Sequence, residues 1–213
     1  MQTSIRSIAT GIAQDYEIKG KIFISAYKKN IFLTSCEVGK LGLENDFQVD
    51  ARFHGGIDKA IHIGSSKHFE VFKNLHSTKL DVLAIGCNIF IDRYDENDIC
   101  IGDIYTIGKV TIEVTQPRQP CWKIGALFGK DVNQYIVKQN ATGWYVRVLK
   151  VGTINATDTM KLEKRVSDIT IKELSNYLKN PPKENQKLIN KILNMSYLAQ
   201  AYKDDFNNSL TSC

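Results

Sequence analysis

Cys121 is the residue whose neighbours best suit it to act as a nucleophile or a metal ligand. It lies in the segment QPRQPCWK, residues 116–123. Pro120 suits the first position of a helix, which predicts that Cys121 lies in the first helical turn, at the positive end of the helix dipole. That position and the nearby cations Arg118 and Lys123 favour the thiolate, the form that attacks electrophiles and binds soft metals. A buried structural cysteine is the alternative interpretation.

A second group of reactive side chains surrounds a pair of glycines at positions 55 and 56. His54 precedes the pair, and Asp58 and Lys59 follow it. Glycine lets the backbone turn sharply or approach a ligand closely, so one loop can present an imidazole, a carboxylate and an amine. Such a group can transfer protons. The alternative is an ordinary turn with a surface pair between Asp58 and Lys59.

The distribution of charge predicts a small anionic ligand rather than a nucleic acid. The net charge is 28 − 23 = +5, and residues 116–150 carry six basic side chains against the single acid Asp131. A local excess of this size attracts a phosphorylated ligand. It is small for a nucleic-acid backbone, and the basic residues are not interleaved with aromatic residues in one tract. A solvated basic face is the alternative.

Cysteine usage and hydropathy predict a cytoplasmic protein. The five cysteines are odd in number and show no C-x-x-C spacing, which is typical of reduced thiols. The longest apolar run, Val82–Ile91, is interrupted by Gly86 and Asn88 and falls far short of the ~18 residues of a membrane span. The amino terminus lacks the apolar stretch of a secretory leader. We therefore expect no membrane partner.

Short segments of alternating hydrophobicity, separated by glycine or aspartate turns, predict a β-barrel rather than a parallel sheet. A hairpin is expected over Lys21–Val38, turning at Lys28-Lys29-Asn30, with Ile22 and Ile24 on one face. The further strands expected are Asn88–Arg93, Ile101–Ile107, Val110–Thr115 and Trp144–Val151. The helices expected between them are Ser65–Leu75, Cys121–Gly129 and Asp131–Gln139.

The carboxy-terminal part of the sequence has a different character. Thr170 and Glu173 are spaced as a capping box at the start of a helix, and Pro181-Pro182 ends that helix. Two more amphipathic segments follow. We therefore expect a mainly β barrel domain at residues 1–163 and a small bundle of three helices at residues 164–213.

Three motifs together resemble a known family. They are HGGIDKA at residues 54–60, QPRQPCWK at residues 116–123 and TGWYVRVL at residues 142–149. In type and order they look like the MOSC family, the sulfurase carboxy-terminal domains, and within it the YiiM-type members. The likeness runs from about Gly20 to Leu162, and the helical tail is similar to the small helical domain that those members add.

The resemblance implies a distorted β-barrel that holds the molybdenum cofactor, a pyranopterin dithiolene, with a cysteine thiolate of the protein as a ligand of the metal. Carried over position by position, that ligand is Cys121. His54 and Asp58 would be the catalytic groups that handle protons. The implied cofactor-binding residues are Lys28, Lys59, Asn88, Arg118, Gln119 and Arg147.

Three positions depart from the pattern of the family, Asn30, Asn45 and Cys87, and the last of them bears on the chemistry. Where the family commonly has F-G-E-N-L, this chain has Ile85-Gly86-Cys87-Asn88-Ile89, so a thiol replaces the acid. If that acid donates a proton in the family, another group must do so here. His54 is the candidate.

The resemblance further implies an enzyme that reduces N-hydroxylated compounds, such as 6-N-hydroxylaminopurine, to amines. The electrons would come from a separate protein, a flavin reductase or a ferredoxin-like carrier, because the chain has no G-x-G-x-x-G segment after a strand. Since such carriers are commonly acidic, the basic helical tail would be the docking face. Two alternatives stay open: a carrier of the cofactor or of persulfide sulfur without turnover, and a structural module.

Overall fold

A closed barrel of seven strands forms the centre of the structure. The computed structural model describes residues 1–18, 20–29, 31–49, 55–68, 86–119 and 121–211. Within these ranges the strands are β1 (Gln2–Thr10), β2 (Gln14–Ile18), β3 (Lys21–Ser25), β4 (Ile31–Leu33), β5 (Ser35–Gly39), β6 (Gly42–Leu43), β7 (Ile61–Ser65), β8 (Ile89–Ile91), β9 (Ile104–Ile107), β10 (Val110–Pro117), β11 (Trp144–Lys150), β12 (Gly152–Asn155) and β13 (Thr159–Lys164). The helices are α1 (Trp122–Phe128), α2 (Lys130–Gln139), α3 (Ile171–Lys179), α4 (Gln186–Leu193) and α5 (Gln200–Thr211), with 3₁₀ turns at Ile57–Lys59 and Ser66–His68. Among the described helices, none is both long and apolar enough to cross a membrane.

The barrel closes because its first and last strands pair. The strand order is β13-β9-β10-β11-β7-β8-β1, and β1 pairs back to β13 with Thr3 opposite Met160. Within the ring, β7 and β8 run parallel, whereas the other described pairs are antiparallel. β4 extends the far end of β1, and β5, β6 and β12 form a small separate sheet.

Alternating apolar side chains fill the barrel. Val110, Ile112 and Val114 of β10 are buried as predicted, and Trp144 and Val146 of β11 have no exposed surface. Burial of apolar surface contributes about 25 cal/mol per Å², so this continuous core is the main source of stability. The mainly β fold with helices, and the barrel predicted from the sequence, are confirmed.

The hairpin expected over Lys21–Val38 is wrong. Strand β3 pairs with β2 across the turn at Gly20, and β4 pairs instead with the end of β1. The β2–β3 ribbon lies outside the barrel, so Ile22 and Ile24 are 74% and 51% exposed. Alternation in this segment shows that the chain is extended, but it identifies neither the partner strand nor a buried side.

The expected helix Ser65–Leu75 also needs correction at its start. Ser65 is the last residue of β7, and residues 66–68 form a 3₁₀ turn. The extended run Ile61–Ser65 is fully buried between β8 and β11, so tertiary pairing overrides the helical pattern there. Residues 69–75 of the expected helix lie outside the described residues.

Three helices follow the barrel and pack against it. The predicted capping box is confirmed: the Glu173 N–H donates to Thr170 Oγ1 (3.1 Å), and the Thr170 N–H donates to Glu173 Oε2 (2.8 Å). Buried side chains of α3, α4 and α5 belong to the same apolar cluster as the barrel core. A bundle separate from the barrel, and a boundary between residues 163 and 164, stay predictions.

Gly143 and Gly20 give a matched test of the packing between β7 and β11. Their φ angles are +74° and +72°. A Cβ on Gly143 would lie 2.2 Å from the Ile63 carbonyl oxygen, whereas one on Gly20 would meet nothing within 4 Å among the described residues. Gly20→Ala should cost only the backbone strain, about 1 kcal/mol of unfolding free energy. Gly143→Ala should lower the free energy of unfolding, measured by urea denaturation, by about 2 kcal/mol more than Gly20→Ala does, because β7 must shift. Equal losses in the two variants would contradict the described packing.

Candidate functional site

A cleft opens where the chain after β3 meets the segment 46–49 and the ends of β7, β10 and β11. The space between its walls, open solvent included, is about 580 Å³. Among its described lining residues, four cations stand against one carboxylate, a balance that attracts an anion. These charged residues are Lys29, Lys59, Arg118, Lys123 and Asp46.

The floor of the cleft is a buried ion pair between Lys29 and Asp46. The Lys29 ammonium lies 2.5 Å from Asp46 Oδ1, and the two side chains are 6% and 5% exposed. Burial lowers the pKa of Lys29, and the neighbouring Asp46 carboxylate opposes that effect. The carboxylate also accepts from the Gly11 N–H (2.9 Å) and from Asn88 Nδ2 (2.8 Å). Three separate segments of the chain are therefore held by one acid.

His62 lies beside this pair as a buried, neutral imidazole. Its Nδ1 is 3.0 Å from the Gly86 carbonyl oxygen, and its Nε2 is 2.8 Å from that of Thr142. Burial lowers the pKa of His62 to about 4, although both carbonyl oxygens act in the opposite direction. The neutral ring can donate to only one of them. The Cys87 thiol lies 3.7 Å from Nε2, and burial raises its pKa well above the usual value, so it stays protonated.

Arg118 is a buried cation with a donor atom to spare. It is 3% exposed, and its guanidinium carbon lies 4.9 Å from the centroid of the Tyr27 ring. Burial lowers the pKa of Arg118, whereas Tyr145 and Cys121 raise it. Among the described residues, Arg118 Nη1 has no hydrogen-bond partner, and neither has the buried Tyr27 hydroxyl. Both residues line the cleft, so a bound acceptor would satisfy them.

Cys121 caps the amino end of α1 instead of lying in its first turn. The helix begins at Trp122, one residue later than predicted, and ends at Phe128. Cys121 is half-buried, whereas the other three described thiols are buried. It lies within electrostatic reach of Arg118, a lining residue of the cleft. In the described part of the chain, no three His, Cys, Asp or Glu side chains are grouped to hold a metal ion by themselves.

The structure brings some of the residues singled out from the sequence to the cleft and places others elsewhere. Lys59, Asn88 and Arg118 line the cleft. Lys28 is exposed, with its ammonium 5.3 Å from the centroid of the Tyr16 ring.

Two more of these residues form an ion pair of their own. Asp58 Oδ1 lies 2.9 Å from Arg147 Nη2, and Arg147 also binds Glu113 at 3.1 Å. Gln119 is exposed and donates to Asp205 of α5. His54 lies outside the described residues.

Sequence reasoning missed Lys29, Asp46, His62, Tyr27 and Tyr145, which all line the cleft. His62 carried a usable signal, because it is the one polar residue between Ile61 and Ile63 in a buried strand. Lys29 carried no such signal, because only the path of the chain after β3 distinguishes it from Lys28.

Comparison with known proteins agrees with this architecture. The sequence model of the MOSC domain matches residues 50–161. YflK of Bacillus subtilis (strain 168) is 28% identical over 204 residues, 95% of this chain and 92% of YflK. A protein named reductase, from Gibberella moniliformis, is 32% identical over 117 residues, 53% of this chain and 21% of that protein. The crystal structure of YiiM from Geobacillus stearothermophilus matches with a TM-score of 0.78 and 26% identity, covering 98% of this chain and 100% of that one.

The neutral His62 should make the free energy of unfolding depend on pH. The folded protein keeps the ring unprotonated down to about pH 4, whereas the unfolded chain protonates it near 6.5. Between these values the unfolded state binds the additional proton, so stability rises with pH through this window and is lost as the pH falls. From pH 8 to pH 5 this one group should lower the free energy of unfolding by about 2 kcal/mol.

Urea denaturation of the wild type and of His62→Gln across this range isolates the contribution of His62 as the difference between two curves. We expect the difference to appear below about pH 6.5 and to grow as the pH falls. Parallel curves would show that the ring has the same pKa in the folded and unfolded states, and wild-type stability that falls relative to the variant as the pH rises above about 6.5 would show a ring held as an imidazolium. Either result would contradict the neutral assignment.

Proposed function

This chain belongs to the MOSC domain family, and from that premise we propose that its cleft binds the molybdenum cofactor and that the protein reduces N-hydroxylated compounds to amines. Similarity to YiiM over almost the whole chain supports the proposal, as does the partial match to a protein named reductase. The observation that carries it is the buried cation Arg118, whose Nη1 atom lacks a partner among the described residues of the cleft.

The donors of the cleft fit an anionic cofactor that is rich in hydrogen-bond acceptors. Leaving a buried donor unpaired costs about 1–3 kcal/mol, more for a charged group. Arg118 and Tyr27 each contribute such a donor. A phosphate or pterin oxygen would pair with them, and the ammonium groups of Lys29 and Lys59 would add favourable charge.

Cys121 would be the protein ligand of the metal. A thiolate suits a soft metal centre, and Cys121 is the described thiol that is not buried. The cofactor would bring its own dithiolene sulfurs, and Cys121 would add one protein thiolate. When bound, the cofactor supplies the two-electron chemistry that cleaves the N–O bond, while the protein supplies ligation, orientation and charge.

The proton for the departing oxygen is proposed to come from the loop at residues 54–59. Asp58 is engaged in the ion pair with Arg147. The His62 ring lies against two backbone carbonyl oxygens and the Cys87 thiol, and both side chains are buried. His54 is therefore the preferred proton donor, and Asp58 is the second candidate.

Electrons are proposed to come from a separate flavin reductase or ferredoxin-like protein. Residues 161–213 carry nine basic and six acidic side chains, which give this region a net charge of +3. An acidic carrier would be steered towards such a surface at low ionic strength. The substrate would be a small N-hydroxylated molecule.

A carrier without turnover is the second candidate. The partial exposure of Cys121 favours it, because a thiol that hands on sulfur or a cofactor must be reachable by a partner. Turnover of an N-hydroxylated substrate with a chemical reductant distinguishes the enzyme from the carrier.

Arg118→Met should separate binding from stability. The substitution removes a buried cation whose Nη1 contributes no hydrogen bond to a described residue, so the free energy of unfolding of the cofactor-free protein should change by less than about 1 kcal/mol or increase. Retention of molybdenum during dilution should weaken roughly ten- to a hundredfold, as for one lost charge-assisted hydrogen bond. A large loss of stability with unchanged retention would make Arg118 a structural residue.

Cys121→Ser tests the proposed function directly. Protein made in a host that synthesises the cofactor should lose most of its molybdenum and its N-hydroxy reductase activity, because an alcohol is a hard, weakly acidic replacement for a thiolate. Cys36→Ser and Cys100→Ser are the matched controls, since both thiols are buried, and both variants should keep bound metal. Full metal content and turnover in Cys121→Ser would refute the proposal.

A further inference from the structure

The last helix of the chain reaches the segment that precedes Cys121. Gln119 Nε2 donates to Asp205 Oδ2 of α5 at 2.8 Å. Close by in the chain, the Ala199 N–H donates to the Thr115 carbonyl oxygen at 3.0 Å. Thr115, near the end of β10, and Gln119, two positions before Cys121, are thus held from the outside by the carboxy-terminal part of the protein.

The same carboxylate also acts on a residue that lines the cleft. Burial lowers the pKa of Lys59, and the charge of Asp205 is the larger of the two influences that raise it, ahead of the adjacent Asp58. Lys59 lines the cleft from the 3₁₀ turn that follows the two glycines. An acid 146 positions away in sequence therefore affects this ammonium more strongly than its neighbour in the chain does.

A third contact ties this turn to the carboxy-terminal part. Arg147, which binds Asp58, also donates from Nη2 to the Tyr197 carbonyl oxygen at 3.2 Å. The turn that carries Lys59 and the segment that carries Gln119 therefore meet the helical part at neighbouring points.

We propose that Asp205 is a positioning residue of the cleft: from α5 it holds Gln119 by a hydrogen bond and sets the electrostatic surroundings of Lys59, so that the carboxy-terminal helix completes the site. This deepens the proposed function and rests on it only in taking Cys121 and Lys59 as groups that meet the ligand. Loss of the contact would loosen the segment before Cys121 and lower the pKa of Lys59.

The chain offers a matched control in the preceding residue. Asp204 accepts from Gln200 Nε2 at 2.8 Å, a contact within α5 itself. Asp204 and Asp205 are both exposed and carry the same charge on the same helix. Substitutions at the two positions have the same effect on net charge and differ in what the acid touches.

The experiment compares Asp205→Ala, Asp205→Asn, Asp204→Ala and Asp204→Asn in cofactor-free, full-length protein. The first measurement is the rate at which iodoacetamide alkylates Cys121. All variants also carry Cys213→Ser, and Cys36, Cys87 and Cys100 are buried, so Cys121 is the thiol that reacts. The second is the pKa of Lys59 from the NMR signal of the isotopically methylated amine, assigned with Lys59→Arg.

Asp205→Ala should speed alkylation about two- to tenfold, the equivalent of one lost hydrogen bond. In Asp205→Asn, Cys121 should be alkylated at nearly the wild-type rate, because the amide oxygen of the new side chain still accepts from Gln119. Both substitutions should lower the pKa of Lys59, since each removes the charge that raises it. The Asp204 variants should leave both measurements unchanged, a split that general loss of stability would not produce.

An unchanged alkylation rate in Asp205→Ala, an unchanged pKa of Lys59 in Asp205→Asn, or equal effects of Asp204→Ala would each overturn the proposal. Should Asp205→Ala fail to fold, Gln119→Leu removes the same hydrogen bond from the barrel side and should speed alkylation equally. Neither measurement uses molybdenum. Undiminished metal content in Cys121→Ser would refute the proposed function, whereas the alkylation rate and the pKa of Lys59 test the role of Asp205 independently of it.

Discussion

The buried ion pair between Lys29 and Asp46 is the interaction on which the arrangement of the cleft depends. Taking an ammonium out of water is unfavourable unless a carboxylate and further hydrogen bonds accompany it. Asp46 meets that requirement and, through its second oxygen, also orients the Asn88 side chain. The Oδ1 atom of that side chain accepts from the backbone N–H of His62 at 3.1 Å. Removing one member would leave an unpaired buried charge and lower the free energy of unfolding by about 3–5 kcal/mol. The pair therefore holds together three parts of the chain: the loop after β3, the segment around residue 46 and the start of β7.

Arg118 illustrates the opposite situation on the wall of the same cleft. Its backbone is fixed by a hydrogen bond from its N–H to the Gly143 carbonyl oxygen at 3.1 Å, and its guanidinium is placed against Tyr27. The folded chain thus preorganises a cation without satisfying every donor among its described residues. A site that tolerates such a cost is suited to a ligand that relieves it. Arg118 therefore bears on ligand binding, whereas Lys29 bears on the arrangement of the chain.

The sequence was sufficient to predict the barrel, the capping box and the importance of residues 116–123, because each depends on local patterning or on a recognisable motif. It was not sufficient for Lys29, Asp46 or His62, since their significance comes from contacts between distant segments. Lys28 and Lys29 are equivalent in composition, and only the path of the chain after β3 decides which one is buried. The predicted hairpin was wrong for a related reason: alternation shows that a segment is extended but does not identify its partner strand.

The central claim is that Cys121 is a sulfur ligand of molybdenum bound in this cleft. The most direct measurement is molybdenum K-edge X-ray absorption of cofactor-loaded wild-type protein compared with Cys121→Ser reconstituted at excess cofactor. The account predicts that the variant shows one sulfur scatterer fewer around the metal than the wild type. Identical sulfur coordination in the two proteins would contradict it.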